Sequence, residues 1–121
     1  MSAIAHPTPA QAAGGDAEDG AARFLERRGL QLVERNFRTR LGEIDLIARE
    51  GAVLVFVEVR LRRSTGYGGA LESITTRKRR RIAAAARQYL MRFSRLPACR
   101  FDVVCLEGGE PLWIRGAFEL S

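Results

Sequence analysis

Two carboxylates, Asp45 and Glu58, lie within the most strand-like part of the sequence, GEIDLIAREGAVLVFVEVR at residues 42–60. Two carboxylates held close together repel each other, and both stay ionised only if a cation lies between them. Mg²⁺ is the natural cation, because it prefers oxygen ligands and is bound through one or two carboxylates together with phosphate oxygens. Arg60, two positions after Glu58, could contact a phosphate or stabilise developing charge. Acids and a base around a metal ion suit in-line phosphodiester hydrolysis.

This chemistry depends on the register of two predicted strands. Side chains alternate between the faces of a strand, so Glu43 and Asp45 share a face of the first strand, as Glu58 and Arg60 do of the second. With Glu50-Gly51 as a two-residue turn, Asp45 and Glu58 are diagonal neighbours on one face, within about 7–8 Å. A loop longer by two residues puts them directly opposite each other, and a slip of one residue puts them on opposite faces.

The same residues also fit a purely structural interpretation. Arg49 and Arg60 could neutralise Asp45 and Glu58 in a polar cluster on the sheet, with no metal ion involved. The spacing alone favours neither interpretation, because motif matches as short as this one carry a high risk of false positives.

A second candidate site is the run TTRKRRRIAAAARQYL at residues 75–90, in which five basic residues open a predicted helix. Cations at a helix N-terminus interact unfavourably with the helix dipole, which favours acidic residues there. A departure from this preference is typical of a functional site. Lys78 precedes the core residue Ile82 by one helical turn, so we expect it at the edge of the core, pointing toward the carboxylates. A solvated charged face is the alternative. The predicted phosphate-binding residues are Arg77, Lys78, Arg79, Arg80 and Arg81, of which Arg77 and Arg80 are expected to face solvent.

Hydrophobic periodicity predicts the elements that position these residues, in the order helix, three strands, helix, two strands. Thr75 or Thr76 caps the second helix, which is expected to run to about residue 93. The pattern predicts an α/β (mixed α+β) domain with a central mixed sheet of about five strands flanked by helices. The predicted helix and strand ranges are 16–28, 30–37, 43–49, 52–61, 76–93, 99–107 and 111–118.

Composition narrows the class of protein. The 121 residues, 46% of them hydrophobic, predict a single domain at residues 16–121 after a disordered tail at residues 1–15 that is rich in Ala, Pro and Gly. The longest apolar run is far shorter than the about 20 residues of a membrane span, and the start of the chain does not resemble a secretory signal. We therefore expect a cytoplasmic protein with no membrane partner.

Cys99 and Cys105 fit no disulfide or metal spacing. The net charge of +6, carried mostly by Arg, suits contact with phosphate.

Several motifs together resemble the YraN family: GEIDLIA, VFVEVRLRRS, YGGA, a Lys-bearing helix and RFDVV, over about residues 18–118. That bacterial family is placed in the PD-(D/E)xK nuclease superfamily, near archaeal Holliday-junction resolvases. The resemblance implies a restriction-endonuclease-like three-layer core and a nuclease that depends on Mg²⁺ or Mn²⁺. It also implies a nucleic-acid partner, with DNA and branched DNA as the candidates, and a homodimer, since a two-fold enzyme matches a two-fold junction.

The resemblance implies a role for each matching residue. Asp45 matches the metal-binding Asp of the superfamily, and Glu58 matches the acid of its (D/E)xK element. Glu18, in the first helix, matches the helical Glu that completes the acidic site in resolvase-like members. The backbone carbonyl of Val59 would be a further metal ligand, and Glu43 would lie beside the site in a secondary position.

Arg60 stands where the superfamily has Lys. An Arg does not give up its proton in a protein, so Arg60 could hold water or phosphate but could not act as a general base. Tyr67, in the loop STGYGGA, could stack on a base or pack on the domain surface. The leading prediction is an endonuclease or junction resolvase with Asp45, Glu58, Arg60 and Lys78 as its catalytic residues. The alternatives are a non-catalytic nucleic-acid-binding module on the same fold and a protein-interaction adaptor.

Overall fold

The structure is a computed structural model and describes residues 9–61, 73–106 and 109–119. Over these residues the elements follow the predicted order αβββαββ. The helices are α1 (Pro9–Arg27) and α2 (Thr76–Leu90). The strands are β1 (Gln31–Arg38), β2 (Glu43–Glu50), β3 (Val53–Arg60), β4 (Cys99–Cys105) and β5 (Leu112–Phe118).

Helix α1 begins earlier than the sequence analysis predicted. Its first residue is Pro9 rather than residue 16, so the segment predicted as a disordered tail is helical from Pro9 onward. Pro is suited to the first helical turn, and the alanines that follow it have the strongest helix propensity of any residue. Residues 1–8 of the predicted tail lie outside the described residues. No helix within the described ranges is long and apolar enough to cross a membrane.

The five strands form one mixed sheet in the order β1-β2-β3-β4-β5. Neighbouring strands are antiparallel except β3 and β4, which are parallel. A parallel pair needs a crossover connection, and α2 lies within that connection. Because β3 and β4 run the same way, α2 runs back from the end of β3, at Arg60, toward the start of β4, at Cys99.

The two helices cover opposite faces of the sheet. The apolar face of α1 packs on one side and that of α2 on the other, so the protein has three layers, as the predicted mixed α+β class requires. Strand β3 contributes core residues to both sides, which explains its nearly continuous apolar run. The α1 side includes Phe24, Leu25, Leu46, Ala48, Val55 and Val57. The α2 side includes Ile44, Ile47, Leu54, Phe56, Ile82, Ala85 and Tyr89.

The turn between β2 and β3 is Gly51-Ala52, one residue later than predicted, because Glu50 still pairs with Val53. Gly51 has φ +60°, which fits the first central position of a type II′ hairpin turn, where Gly is favoured. Arg100 and Arg115 also hold the Glu50 carboxylate, at 2.7 and 3.0 Å. The predicted Glu50-Gly51 turn is therefore wrong by one residue.

The acid Asp102 of β4 is completely buried and fully hydrogen-bonded. Arg100 Nε donates to its Oδ1 at 2.9 Å, and Trp113 Nε1 donates to its Oδ2 at 2.9 Å. The amide of Gly116 donates to Oδ1 at 3.0 Å. Asp102 therefore has a structural role, since it ties β5 to β4.

Candidate acidic site

The carboxyl groups of Asp45 and Glu58 line the same cleft and lie within hydrogen-bond distance of each other. The β2–β3 ladder pairs Leu46 with Val57 and ends there, so Asp45 and Glu58 each lie one residue beyond its last pair. In this register the two acids are nearer to directly opposed positions than to the diagonal ones that a Glu50-Gly51 turn predicted. Glu58 has only 4% of its surface exposed, and Asp45 is half-buried.

Strand β2 breaks its alternation at Asp45. Ile44 packs on the α2 side of the sheet and Leu46 on the α1 side, although residues two apart on a regular strand share a face. The Asp45 side chain turns toward β3, where its Oδ2 accepts a hydrogen bond from the Val59 amide at 2.8 Å. The carboxylate thus satisfies a backbone donor of the central strand at the point where β2 is irregular.

Burial is the main influence on the protonation of these acids. Burial and, after it, the nearby Asp45 charge raise the pKa of Glu58 to about 7, against the lowering effect of Lys78. Burial also raises the pKa of Asp45, although the Val59 amide opposes the rise. The pair therefore holds a proton more strongly than two exposed carboxyl groups would, and a bound cation would release that proton.

Two basic side chains approach the same oxygen of Glu58. Lys78 Nζ lies 3.5 Å from Oε2, and Arg60 Nη1 lies 3.4 Å from it. Both distances are longer than the roughly 2.7–2.9 Å of a strong charge-assisted hydrogen bond. The Thr75 hydroxyl caps α2 by accepting from the Lys78 amide at 3.1 Å, which fixes the helix turn that carries Lys78. The predicted orientation of Lys78 toward the carboxylates is confirmed.

Glu18 of α1 reaches the same place from the opposite layer. Burial raises the pKa of Glu18, and the Asp45 charge adds to that effect. The residues form the wall of one open cleft of about 450 Å³. The cleft is lined by Ala17, Glu18, Asp45, Glu58, Val59, Arg60, Leu61 and Lys78. The structure therefore brings together all six residues predicted for the metal-binding and catalytic positions.

The remaining predicted residues lie outside this cleft. Glu43 is exposed and pairs with Arg38 at 3.2 Å, although its charge still raises the pKa of Asp45. Arg49 lies opposite Leu54, toward the β2–β3 turn and away from both acids, so of the two arginines in the structural interpretation Arg60 alone lies at the acid pair. Tyr67 lies outside the described residues.

The basic residues of α2 separate around the helix. Arg77, Arg80 and Arg81 are exposed, in agreement with the predicted solvent-facing positions of Arg77 and Arg80. Arg79 is half-buried, and its Nε donates to the Ile74 carbonyl at 3.1 Å. The run of five cations therefore serves more than one surface of the protein.

The sequence analysis missed Arg35 and Asn36 of β1. Arg35 forms an ion pair with Asp19 at 2.6 Å and lies 3.8 Å from Glu18, and the Asn36 side chain hydrogen-bonds Glu18. Asn36 has φ 53°, a left-handed conformation within a strand, and the flanking pairs place it opposite Asp45. Asn is uncommon in strands but tolerates this conformation, so its presence in LQLVERNF was the available signal.

The carboxylates are not arranged as a preformed cage. Across the described parts of the chain, no group of three or more His, Cys, Asp or Glu side chains has the geometry of a metal site. The cleft instead combines two touching carboxyl groups with two cations that neutralise them only in part. Such an arrangement can bind a group that carries both positive and negative charge, such as a metal ion with a phosphate.

The fold and the cleft define a three-layer α+β protein with a buried acid pair at the edge of its central strand pair. The chain belongs to the Uncharacterised protein family UPF0102, whose family model matches residues 17–106. The match includes every residue that lines the acidic cleft. It confirms the family that the sequence motifs indicated.

Similar proteins occur in several bacteria. A UPF0102 protein of Dechloromonas aromatica is 57% identical over 107 residues, covering 88% of each chain. One from Cupriavidus metallidurans is 54% identical, over 87% of this chain and 79% of its own length. One from a Janthinobacterium species is 49% identical, over 93% of this chain and 91% of its own length.

Proposed function

We propose that this protein is a metal-dependent nuclease that hydrolyses phosphodiester bonds in nucleic acid. The observation that carries the proposal is the contact between the buried acids Asp45 and Glu58, with Lys78 and Arg60 both placed at Glu58 Oε2. Burying two carboxyl groups against each other destabilises a fold, because each charge loses its hydration and repels the other. A site that tolerates this cost is typical of a functional centre.

The donor set fits Mg²⁺ or Mn²⁺. Asp45 and Glu58 offer carboxylate oxygens, Glu18 lies across the same cleft, and the backbone of Val59 lines it. Hard divalent ions are bound in this way by one or two carboxylates, with waters and phosphate oxygens completing the shell. When bound, the ion would neutralise the acid pair and supply an activated water together with charge stabilisation at the phosphate.

The two cations of the cleft would position the substrate. Lys78 is a compact charge on a flexible stem, whereas Arg60 has a planar fork suited to two phosphate oxygens. Their long contacts to Glu58 indicate that either could shift to a phosphate once a metal ion neutralises that acid. Arg60 also donates to the Ser73 carbonyl at 3.2 Å, which directs its guanidinium across the cleft.

The same arrangement supports placing the chain in the PD-(D/E)xK superfamily, in a cytoplasmic role on DNA. Asp45 and Glu58 take the positions of the two acids, Glu18 that of the helical acid, and Arg60 that of the Lys. Junction-shaped DNA and a homodimer belong to the same proposal, since they come with the resolvase-like relatives of that superfamily.

A cleavage assay tests the proposal. Plasmid, single-stranded and four-way-junction DNA are incubated with the protein in Mg²⁺, Mn²⁺ or EDTA, beside Asp45→Asn and Glu58→Gln. Both substitutions keep the shape of the side chain and remove its charge. We expect metal-dependent cutting that both variants lose, whereas Glu43→Gln, an acid outside the cleft, keeps it. If the wild-type protein leaves all three substrates intact in both metals, the nuclease proposal is wrong.

A non-catalytic nucleic-acid-binding module is the second candidate, and Arg60 is the observation that favours it. Because Arg60 keeps its proton, the residue that stands at the Lys position of the superfamily cannot act as a general base in this chain. Salt-sensitive binding of DNA without cutting would support this candidate. If the protein neither binds nor cuts DNA, the protein-interaction adaptor remains as the candidate function.

A further inference from the structure

A second cleft, of about 560 Å³, lies between α2 and the edge strand β5, and we name it the α2–β5 cleft. It shares no lining residue with the acidic cleft. Its residues are Thr76, Arg79, Arg80, Ala83, Arg87, Ala117, Phe118 and Glu119. Three of its eight lining residues are arginines and one is acidic, so the cleft is basic.

The helix residues of the α2–β5 cleft form a single stripe. Thr76, Arg80, Ala83 and Arg87 are spaced i, i+4, i+7 and i+11, which places them on one face of α2. At 1.5 Å per residue, Arg80 and Arg87 lie about 10 Å apart along the helix axis. The small side chain of Ala83 between them leaves room for a ligand to approach the helix.

The Arg79 side chain lies beside this stripe and is held in a fixed orientation. Its Nε donates to the Ile74 carbonyl at 3.1 Å, and its guanidinium carbon lies 5.5 Å from the centre of the Phe118 ring. A guanidinium stacked on an aromatic ring loses little further freedom when it binds an anion. The α2 sequence, TRKRRRIAAAARQYL, contains no acid that could neutralise this face from within the helix.

The two clefts lie on either side of the first turns of α2, because Lys78 lines the acidic cleft and Arg79 lines the α2–β5 cleft. Helix α2 runs back along the sheet from the Arg60 end of β3 toward the start of β4. A chain of phosphates that entered the acidic cleft could therefore continue over the start of α2 and along the stripe toward Arg87.

We propose that the α2–β5 cleft is a second phosphate-binding site, which holds the nucleic-acid backbone beyond the bond at the acidic cleft. This inference rests on the proposed function for its ligand. Arginine forks match phosphate oxygens in pairs, and a stripe of several arginines with one partly buried aromatic ring suits a repeated anion. Protein partners are usually anchored by a few central residues in desolvated pockets, most often Trp, Tyr and Arg, and the residues that line the α2–β5 cleft include neither Trp nor Tyr.

With a single acid among its lining residues the site is not built to hold a metal ion, so its contribution to binding is separable from cutting. In EDTA, removal of two phosphate contacts should lower the slope of log affinity against log salt by roughly 1.4–1.8. The test compares Arg80→Gln/Arg87→Gln with Arg23→Gln/Arg27→Gln. The control pair lies on α1, is exposed and changes the net charge by the same amount.

Fluorescence anisotropy of a short labelled DNA single strand, over a series of salt concentrations in EDTA, gives the readout. We expect the α2 pair to weaken binding at least about tenfold and to lower the salt slope, and the α1 pair to change both much less. Thermal melting of both variants confirms that they fold. Equal losses from the two pairs would overturn the inference, because they would show a general effect of net charge.

The outcomes also separate this inference from the proposed function. If the wild-type protein cuts DNA and the α2 pair binds and cuts normally, the α2–β5 cleft is not a phosphate site although the nuclease stands. If the α2 pair loses binding while no condition supports cutting, the cleft stands and the nuclease fails. If labelled polyglutamate binds more tightly than DNA, and only through the α2 pair, the cleft is a site for an acidic protein and the inference is wrong.

Discussion

Gly42, at the entry to β2, lies directly against the backbone carbonyl of Arg81 on α2, where a Cβ on Gly42 would overlap the oxygen. The contact joins the strand that carries Asp45 to the helix that carries Lys78. Because the obstructing atom belongs to a helix backbone, no side-chain rotation could relieve the overlap. The glycine that opens the motif GEIDLIA is therefore needed for close approach of two elements that build the acidic cleft.

We expect Gly42→Ala to destabilise the protein by about 1–3 kcal/mol, since overpacking against backbone forces α2 away from the sheet. Urea unfolding measures the change. Gly20→Ala is the matched control, because its Cβ would meet Leu106 Cδ1 at an ordinary 3.6 Å. Alanine in a helix interior is favoured over glycine by about 0.5–1 kcal/mol, so the control should be neutral or more stable. A Gly42→Ala protein as stable as the wild type would contradict the packing described here.

The stability of the metal-free protein should fall as pH rises, because the folded state raises the pKa of Glu58 to about 7 from an ordinary value of 4.5. A raised pKa means that the folded state holds the proton more tightly than the unfolded state. The stabilisation is fully present below 4.5 and is lost as pH rises through about 7. We expect the melting temperature in EDTA to fall across this window.

Glu58→Gln should remove that fall, because the amide has no proton to lose in this range. Its melting temperature in EDTA should exceed that of the wild type at pH values above about 7, by several degrees if the gain is about 1 kcal/mol. Glu26→Gln, the same change at an exposed position of α1, is the control. A Glu58→Gln protein that follows the wild-type pH profile would show that Glu58 is not the titrating group.

Asn36 offers a way to separate strain from function. Gly at this position adopts φ 53° without strain, so Asn36→Gly should leave stability unchanged or raise it. The substitution also removes the amide that hydrogen-bonds the Glu18 carboxyl group. We expect the affinity for Mn²⁺, measured by titration calorimetry, to fall by roughly threefold to tenfold. If Asn36 served only to hold the left-handed backbone conformation of β1, the substitution would leave the Mn²⁺ affinity unchanged.

Asn36→Ala provides the complementary measurement. It removes the same amide but keeps a Cβ in the left-handed conformation, which costs roughly 1 kcal/mol. Both variants should lose Mn²⁺ affinity equally, and only the alanine variant should lose stability. Recovery of affinity in Asn36→Gln, which keeps an amide donor, would show that an amide at this position is sufficient.

Asp102→Asn should be strongly destabilising although Asp102 lies outside both clefts. The Asp102 carboxylate accepts hydrogen bonds from Arg100, Trp113 and Gly116. The side-chain amide of Asn would place its NH₂ group against one of these donors. It would also leave the positive charge of Arg100 poorly compensated. Breaking a buried ion pair in this way costs about 3–5 kcal/mol. The variant should unfold at much lower urea concentration yet, while folded, bind Mn²⁺ with wild-type affinity. A weakened Mn²⁺ affinity would connect Asp102 to the acidic cleft.

Periodicity was sufficient to predict the elements and the faces that β3 presents. The run VLVFVEVR places alternate residues on the two helix layers, so Glu58 had to share the side of Phe56. The same logic placed Lys78 at the edge of the core one helical turn before Ile82. Patterns of this kind depend only on residues that are close together in the chain, so they can be recognised in a single sequence.

Other features depend on atoms that are distant in the chain. The hairpin turn lies one residue later than predicted because Gly51 takes its first central position and Glu50 meets Arg100 and Arg115, and this shift changes each cross-strand partner by two residues. The Gly42 contact with α2 and the Asn36 contact with Glu18 exist only after the layers have packed. Periodicity cannot report such contacts, and for Asn36 the one local sign was an unusual residue for a strand.

The β2–β3 turn lies at the opposite end of β3 from Glu58, and Ala52 in that turn is about 20 Å from Glu58 at 3.3 Å per residue. Ala52 is exposed, while Glu50, next to the turn, is anchored by two arginines from other strands. This corner of the molecule is therefore tied to the rest of the sheet and remote from the acidic cleft. A dye or surface tether attached at Ala52 would hold the protein at this anchored corner and leave that cleft open to long or branched ligands.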